Sequence, residues 1–176
     1  DDLGSFRTYL TSVDNAEIMA DVKVCQSLCH LWGTHNQVQF EATKETFVIL
    51  HRSHGEGEEF KLLGIWFDHK LQMTKCVQQL QKACGWQIRG LLRARAFYPV
   101  RDLVNLYKGF ILSRIEYRTP ALFHACPSLL ARVDRVQTRF LREVGVTAES
   151  GLCDFNLAPL CLRHEIAMLG LIHKYC

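Results

Sequence analysis

The chain has 176 residues, of which 48% are hydrophobic and 22% are charged, as in a globular protein with a buried core. No apolar run reaches the roughly eighteen residues of a membrane span, and no basic start with a following apolar stretch indicates a signal peptide. The formal net charge is +3. The composition therefore disfavours a membrane protein, and we expect no membrane partner.

A helix is predicted to begin near Asp14. This residue is followed three positions later by Glu17, which is the pattern of a capping box. Apolar residues then recur at four- and three-residue steps, which favours one helix with one apolar face, and Gly33 is typical of a helix stop. The apolar positions are Ile18, Val22, Cys25, Cys29 and Trp32.

Three strands are predicted after this helix. Val38 and Phe40 alternate with polar residues, and residues 46–50 form a β-branched and aromatic run. A turn over residues 54–57 then leads into a third strand over residues 60–67. These elements indicate an α+β layer in which a helix packs on a small antiparallel sheet.

The hydrophobic period becomes helical in the C-terminal part of the chain. The sequence predicts helices over residues 73–95, 100–111 and 129–144, the last of them ending at Gly145, and a final helix over residues 159–173. The predicted architecture is therefore an α+β piece followed by an all-helical bundle. In the final helix one face collects the apolar residues, namely Leu162, Ile166, Leu169 and Ile172.

Basic residues are concentrated in the predicted helices. Residues 75–145 hold 13 Lys and Arg against 4 acids, a net charge of +9, whereas residues 1–74 hold 6 against 11. A field of one sign attracts phosphate, which favours a nucleic-acid partner. The alternative is that these charges are the solvated faces of ordinary helices. Four arginines follow one predicted helix at three- and four-residue steps, namely Arg132, Arg135, Arg139 and Arg142.

The eight cysteines form no framework of paired C-x-x-C motifs, and we expect them to be free thiols that mostly occupy apolar helix positions. Reduced thiols favour an intracellular location, in the nucleus or the cytoplasm. A zinc site is the alternative, although neither candidate set supplies four ligands at a familiar spacing. The two sets are Cys153 with Cys161 and His164, and Cys25 with Cys29 and His30.

The first two residues are adjacent carboxylates, Asp1 and Asp2. Paired acids at a terminus are usually just solvated. Carboxylates at a tight hairpin tip are also what a two-metal phosphoryl-transfer site uses, because hard Mg²⁺ ions prefer oxygen ligands. The order of the features that follow favours this second interpretation.

The acidic pair precedes an amphipathic helix, a turn that carries Lys44, an L-G motif at Leu63-Gly64 and a set of basic helices. In this order the features resemble the second half of a reverse transcriptase of the non-LTR (LINE-type) retrotransposon kind. Residues 115–121 and 137–142 also look like segments of that family's thumb. The resemblance implies the C-terminal part of a reverse transcriptase palm over 1–70, a helical thumb over 71–146 and a helical post-thumb extension over 147–176.

The resemblance also implies roles for individual residues of an RNA-directed DNA polymerase. Asp1 and Asp2 match the catalytic aspartates that bind Mg²⁺. Lys44 matches a lysine near the incoming deoxynucleoside triphosphate, where it would neutralise or protonate the leaving group. Leu63 and Gly64 match the primer-grip hairpin, in which glycine lets the backbone approach a nucleic-acid strand closely.

In the thumb of this family, basic side chains contact the backbone of the duplex between RNA template and DNA primer, and they recognise its A-form shape more than its sequence. The resemblance thus implies that the basic helices bind the template–primer duplex. The residues implied are Lys82, Arg89, Arg93, Arg95, Lys108, Arg114, Arg118, Arg132, Arg135, Arg139 and Arg142.

The family's fingers, and the strand with its other metal-binding aspartate, have no counterpart in these residues. We therefore expect two-metal nucleotidyl transfer in the intact parent, and very weak metal binding and no polymerase activity in this chain alone. Two alternatives stay open. One is a non-catalytic nucleic-acid-binding module derived from such an element, and the other is a helical interaction domain whose charge is solvated surface.

Overall fold

The structure is a computed structural model that describes residues 4–175. The chain forms two compact units, one that ends at Leu71 and one that begins at Gln72, which we name the N-terminal unit and the helical unit. Helices predominate, and the strands of the described residues form one two-stranded antiparallel sheet, which confirms the predicted α+β class at this level. Within residues 4–175, no helix combines the length and the apolar character that crossing a membrane requires.

The N-terminal unit contains the predicted first helix, α1, which spans Asn15–His35. Asp14 occupies the N-cap position, but its side chain makes no capping hydrogen bond, so the predicted capping box does not form. Gly33 lies inside the helix rather than at its end. A Cβ atom on Gly33 would lie 2.6 Å from the Val38 carbonyl oxygen and 2.7 Å from the Phe40 ring. Glycine is therefore required here because the returning chain packs directly against the helix.

Two of the three predicted strands were wrong. The backbone N–H of Val38 donates to the Gly33 carbonyl at 2.8 Å, so it closes the end of α1 instead of joining a strand ladder. Residues 46–50 contribute one isolated bridge, in which Ile49 and Glu56 exchange backbone hydrogen bonds of 2.8 and 3.1 Å. The β-branched run thus pairs at a single position and does not extend into a strand.

The third predicted strand, over residues 60–67, is in fact a hairpin of two strands, β1 (Phe60–Leu62) and β2 (Ile65–Phe67). Leu63 and Gly64 form its two-residue turn with φ angles of 48° and 80°. Two positive φ angles are what a type I′ turn requires, and this turn matches the natural twist of paired strands. The cross-strand partners are Phe60 and Phe67, Lys61 and Trp66, and Leu62 and Ile65.

The helical unit is built from seven α-helices over its described residues. The predicted second helix of this part is longer than expected, because α3, a π-helical turn and α4 follow one another without a break. The elements are α2 (Thr74–Arg93), α3 (Val100–Tyr107), the π-helical turn (Lys108–Leu112), α4 (Ser113–Tyr117), α5 (Thr119–Leu122), α6 (Pro127–Val144), α7 (Ala148–Cys153) and α8 (Leu160–Tyr175).

One core joins α2, α3, the π-helical turn and α6. The rings of Tyr107 and Phe140 stack at its centre with their centroids 4.3 Å apart and their planes 11° apart. Both side chains are completely buried. Around them lie apolar side chains at three- and four-residue spacing, among them Val77, Leu80, Cys84, Ile88, Leu103, Val104, Ile111, Val133 and Val136.

Helix α6 ends where its sequence predicts and begins two residues earlier than the predicted start at residue 129. Pro127 is its first residue, a position where the missing N–H costs nothing. At the other end Gly145 has a φ of 73°, its N–H donates to Arg142, and the N–H of Val146 donates to Leu141. This Schellman arrangement satisfies carbonyl groups that a helix end otherwise leaves unpaired. The predicted third helix of the bundle is thereby confirmed.

Helix α8 buries a different side from the one its apolar residues predict. Leu160 and His164 are its buried residues, and the helix packs against α5 and α6. The residues of the predicted apolar stripe do share one face of the helix. Within the part of the chain that the structure describes, this face is exposed to solvent. Its members are Leu162, Ile166, Leu169 and Ile172.

Candidate nucleic-acid interface

The outer face of α2 is basic along its whole length. Val77, Leu80 and Ile88 point into the core, and Lys82, Trp86, Arg89 and Arg93, at steps of four, three and four residues, share the opposite face. The sequence from residue 69 to 101 contains seven Lys and Arg and no Asp or Glu. This absence of acids means that no carboxylate of α2 can neutralise its basic face.

Trp86 lies in the middle of this basic face, and sequence reasoning missed it. Its side chain is 63% exposed, and the Arg89 guanidinium lies over the indole, 4.7 Å from the ring centroid. A cation over an indole face is attracted by the ring quadrupole, which orients both groups. The signal that could have found Trp86 was its spacing of four residues from Lys82 and three from Arg89.

The four arginines of α6 form a second basic stripe. Arg135, Arg139 and Arg142 are exposed and Arg132 is half-buried, on the flank of the helix away from Val133 and Phe140. Their contacts with acids are weak, since Arg142 lies 3.8 Å from its neighbour Glu143 and the Arg135 side chain donates to the Ala131 carbonyl at 3.3 Å. The guanidinium groups thus remain accessible to a further anion.

A hydrogen bond joins the two helices that carry the stripes. The Gln81 amide on α2 donates to the backbone carbonyl of Arg132 on α6 at 2.7 Å. The two stripes therefore lie on neighbouring helices of one unit, each on the side of its helix that faces away from the core. We name the cations of the two stripes together the basic surface, which comprises Lys82, Arg89, Arg93, Arg132, Arg135, Arg139 and Arg142.

The remaining basic residues that the resemblance implies are spread more widely. Arg95 is exposed in the turn after α2, and Arg114 is exposed on α4. The Arg118 guanidinium donates to the Arg114 carbonyl at 2.9 Å. Lys108 differs in that it is half-buried and its ammonium donates to the backbone carbonyl of Phe155, which is distant in the sequence. We therefore assign Lys108 to the internal structure of the unit and leave it outside the basic surface.

In the N-terminal unit, Lys44 ends a short 3₁₀ turn (Ala42–Lys44), and its ammonium lies 2.7 Å from the Glu41 carboxylate. Both groups are exposed, and the proximity of Lys44 lowers the pKa of Glu41. Leu63 and Gly64 form the hairpin tip described above. The catalytic and metal-binding assignments to Asp1 and Asp2 lie outside the described residues.

No group of three or more His, Cys, Asp or Glu side chains within residues 4–175 is arranged to hold a metal ion. Cys153 and Cys161 are both exposed, whereas His164 is buried. His30 is engaged elsewhere, since its Nε2 atom lies 2.6 Å from a Glu45 carboxylate oxygen. Neither zinc set that the sequence offered is therefore assembled in the described part of the chain.

An open groove of about 500 Å³ lies beside the end of α1. The His30 imidazole in this groove is paired with the Glu45 carboxylate. The Thr34 hydroxyl donates to the His30 backbone carbonyl at 3.0 Å and not to a basic side chain. The lining residues thus present no activated nucleophile. The groove is lined by His30, Gly33, Thr34, Gln37, Val38, Gln39 and Phe40.

Burial perturbs several titratable groups inside the helical unit. It raises the pKa of the Cys84 thiol to about 11, so this cysteine is a packing residue and not a nucleophile. Burial also raises the pKa of Asp134 and lowers that of His164. The Glu116 carboxylate beside them accepts a hydrogen bond of 2.6 Å from Arg163. These groups belong to the internal structure and do not contribute to the basic surface.

Comparisons of the chain with protein-family models, with curated proteins and with solved structures found no match. The function is therefore inferred from the residues themselves, from their placement in the fold and from the resemblance noted in the sequence.

Proposed function

We propose that the helical unit binds the backbone of a nucleic-acid duplex through its basic surface. The observation that carries this proposal is that α2 and α6, which pack on each other, each present a basic stripe on the side away from the core, with seven cations in all. Phosphate neutralisation by such cations releases counterions and supplies sequence-independent affinity. A set of merely solvated helix faces would normally intersperse acids with bases, and the outer face of α2 contains no acid.

We further propose that the chain corresponds to the C-terminal part of the palm, the thumb and a post-thumb extension of a reverse transcriptase of the non-LTR retrotransposon kind. The resemblance supports this assignment through the order of Asp1-Asp2, Lys44, Leu63-Gly64 and the basic helices. In the parent enzyme the duplex would be that of RNA template and DNA primer, and Asp1 and Asp2 would contribute to Mg²⁺ binding. A tight hairpin tip at Leu63-Gly64 fits the close backbone approach expected of a primer grip.

Fluorescence anisotropy with a labelled RNA–DNA duplex tests the binding proposal. We expect binding at low salt, little dependence on base sequence, and a fall of log affinity with log salt of roughly 0.9 per phosphate neutralised. Replacing Arg132, Arg135, Arg139 and Arg142 with Gln should flatten this slope. The matched control replaces Lys23, Lys61 and Lys70 of the N-terminal unit with Gln and should change it less. Failure to bind any duplex at low salt would contradict the proposal.

A primer-extension assay tests the assignment to a polymerase. The 176 residues supply Asp1 and Asp2 but no counterpart of the other metal-binding aspartate that the resemblance requires. We therefore expect no extension by this chain with Mg²⁺ or Mn²⁺, because positioning and a complete metal cage supply most of phosphoryl-transfer catalysis. Robust extension that disappears in the Asp1→Ala, Asp2→Ala variant would show that these residues form a sufficient site.

A non-catalytic nucleic-acid-binding module remains the second candidate function. The same basic surface favours it, because duplex binding requires neither Asp1 nor Lys44. We expect such a module to bind duplex with an affinity that does not depend on Mg²⁺. The Asp1→Ala, Asp2→Ala variant should bind equally well.

A further inference from the structure

The outer face of α2 carries one large exposed aromatic side chain, Trp86, between the cations of the basic surface. Its side chain is 63% exposed although the helical unit has a well-filled core. Its neighbours on the outer face of α2 are Lys82, Arg89 and Arg93 and no other large exposed hydrophobic residue. A single ring surrounded by cations differs from a protein-docking patch, where apolar side chains form a continuous area.

The position of the ring suits stacking on a flat, anionic ligand. The Arg89 guanidinium lies 4.7 Å from the indole centroid, which holds the ring on the helix surface and leaves much of it exposed. With a helix rise of about 1.5 Å per residue, Lys82 lies about 6 Å from Trp86 along the axis and Arg93 about 10 Å in the other direction. A base stacked on the indole would therefore have a cation available for the phosphate on each side.

The exposed indole and the cations on both sides of it favour an unpaired base over a paired one as the ligand. Bases inside a duplex are already stacked on one another, so an indole cannot reach their faces without unstacking them. An unpaired nucleotide offers a free π-face, and stacking on an aromatic side chain is the usual way in which proteins hold one. The lack of acids from residue 69 to 101 gives the charge complementarity that such a strand requires.

We propose that Trp86 is a stacking platform for an unpaired base of a nucleic acid, with Lys82, Arg89 and Arg93 holding the adjoining phosphates. This inference rests on the proposed duplex binding and specifies its ligand as a duplex with a single-stranded extension. The α6 arginines hold the duplex backbone. The α2 cations hold the phosphates where the duplex meets its extension, and Trp86 receives the first unpaired nucleotide.

The test compares a blunt duplex with the same duplex carrying a single-stranded extension, in anisotropy titrations at fixed salt. The Trp86→Ala variant should weaken binding of the extended duplex by about tenfold, since one stacked base contributes roughly 1–3 kcal/mol. Its affinity for the blunt duplex should stay within about twofold. The Trp86→Phe variant should retain most of the preference, because it keeps an aromatic face.

A matched control is Trp32→Ala, because Trp32 is also on a helix surface and is 56% exposed, but lies in the acidic N-terminal unit. This change should affect neither duplex. Tryptophan fluorescence provides a second readout: the extended duplex should quench the wild-type chain, and this quenching should be strongly reduced in Trp86→Phe. Circular dichroism establishes that each variant is folded.

The outcomes separate this inference from the proposed function. If the wild-type chain binds the blunt duplex and Trp86→Ala weakens both ligands equally or neither, stacking is overturned and duplex binding stands. If the wild-type chain binds neither ligand, both proposals fail. A selective loss on the extended duplex, with quenching that depends on Trp86, supports the platform.

Discussion

The N-terminal unit and the helical unit contain similar apolar patterns but differ in what those patterns bury. Gly33 and Ile65 are the buried residues of the N-terminal unit between residues 4 and 71. The helical unit instead buries a continuous set of side chains around the stacked rings of Tyr107 and Phe140. On α1, Val24 and Leu28 are exposed and the predicted apolar positions are only partly covered.

This difference shows that the periodicity of apolar residues in a helix and the burial of those residues are separate properties. A recurrence of apolar residues at helical spacing predicts that a helix forms and which residues share a face, but the burial of that face depends on what packs against it. In α2 and α6 the partner is the other helix. In α1 the described residues provide only partial cover, so we expect most of the folding free energy to reside in the helical unit.

The largest effect should come from the core of the helical unit. Phe140→Ala removes one of the stacked rings from a fully buried site and should lower the free energy of unfolding by about 3–5 kcal/mol. Trp32→Ala removes an aromatic ring of larger size from α1, and it should cost less than about 1 kcal/mol because that side chain is mostly exposed. Urea unfolding followed by circular dichroism measures both. Equal losses would show that the two units are equally well packed.

Replacing either of two helix-interior glycines with alanine should change the stability, in opposite directions at the two positions. Gly33→Ala introduces a Cβ only 2.6 Å from the Val38 carbonyl oxygen and should destabilise the N-terminal unit by about 1–3 kcal/mol. Gly85→Ala meets no atom within 4 Å and should stabilise the helical unit by about 0.5–1 kcal/mol through the better helix propensity of alanine.

Hydrogen exchange localises these two glycine effects. The Gly33→Ala change should accelerate exchange in α1 and leave α6 unaffected, whereas Gly85→Ala should slow exchange in α2. If Gly33→Ala left the hydrogen-exchange rates of α1 unchanged, the close packing of the returning chain against the helix would be contradicted.

A smaller effect should appear as a pH dependence confined to the helical unit. Burial lowers the pKa of His164 below 6.5, and Asp134, Glu116 and Arg163 are the charged groups that act on it. The unfolded chain then takes up a proton at a higher pH than the folded chain does. The stability that the neutral imidazole contributes is complete above the unfolded pKa and is lost as the pH falls through the lowered folded pKa.

Calorimetry at about pH 7.5 and about pH 5.5, on either side of the ordinary histidine pKa, measures this dependence. The decrease in Tm on acidification should be smaller in His164→Gln than in the wild-type chain, because glutamine takes up no proton. His173→Gln on the exposed side of α8 is the matched control and should behave like wild type. An identical decrease in all three proteins would show that His164 contributes nothing to acid sensitivity.

The elements that the sequence predicted well are those with local end signals. Helix α6 has a proline at its start and Gly145 in the left-handed conformation at its end, and both signals are readable from the sequence. The first predicted strand failed for a non-local reason, since the N–H of Val38 is taken by the carbonyl of Gly33. The exposed stripe on α8 could not be foreseen either, because periodicity does not say which face is covered.

The candidate interface was predicted in part. Charge segregation and the spacing of the α6 arginines could be read directly, but the sequence could not show that Gln81 on α2 bonds to α6 or that Lys108 bonds to the Phe155 carbonyl. Trp86 was not identified from the sequence, although its spacing from Lys82 and Arg89 puts it on the face opposite Val77, Leu80 and Ile88. The structure shows that this side chain is exposed.

The stripes on α2 and α6 are proposed to act as one duplex-binding surface. The most direct test is the salt dependence of duplex affinity in three variants: Lys82, Arg89 and Arg93 to Gln, the four α6 arginines to Gln, and both sets combined. Each set should lower the slope by roughly 0.9 for every phosphate that is no longer neutralised, and the combined variant should lower it by about the sum. A slope that both sets leave unchanged, or that the Lys23, Lys61 and Lys70 control lowers equally, would contradict a shared duplex-binding surface.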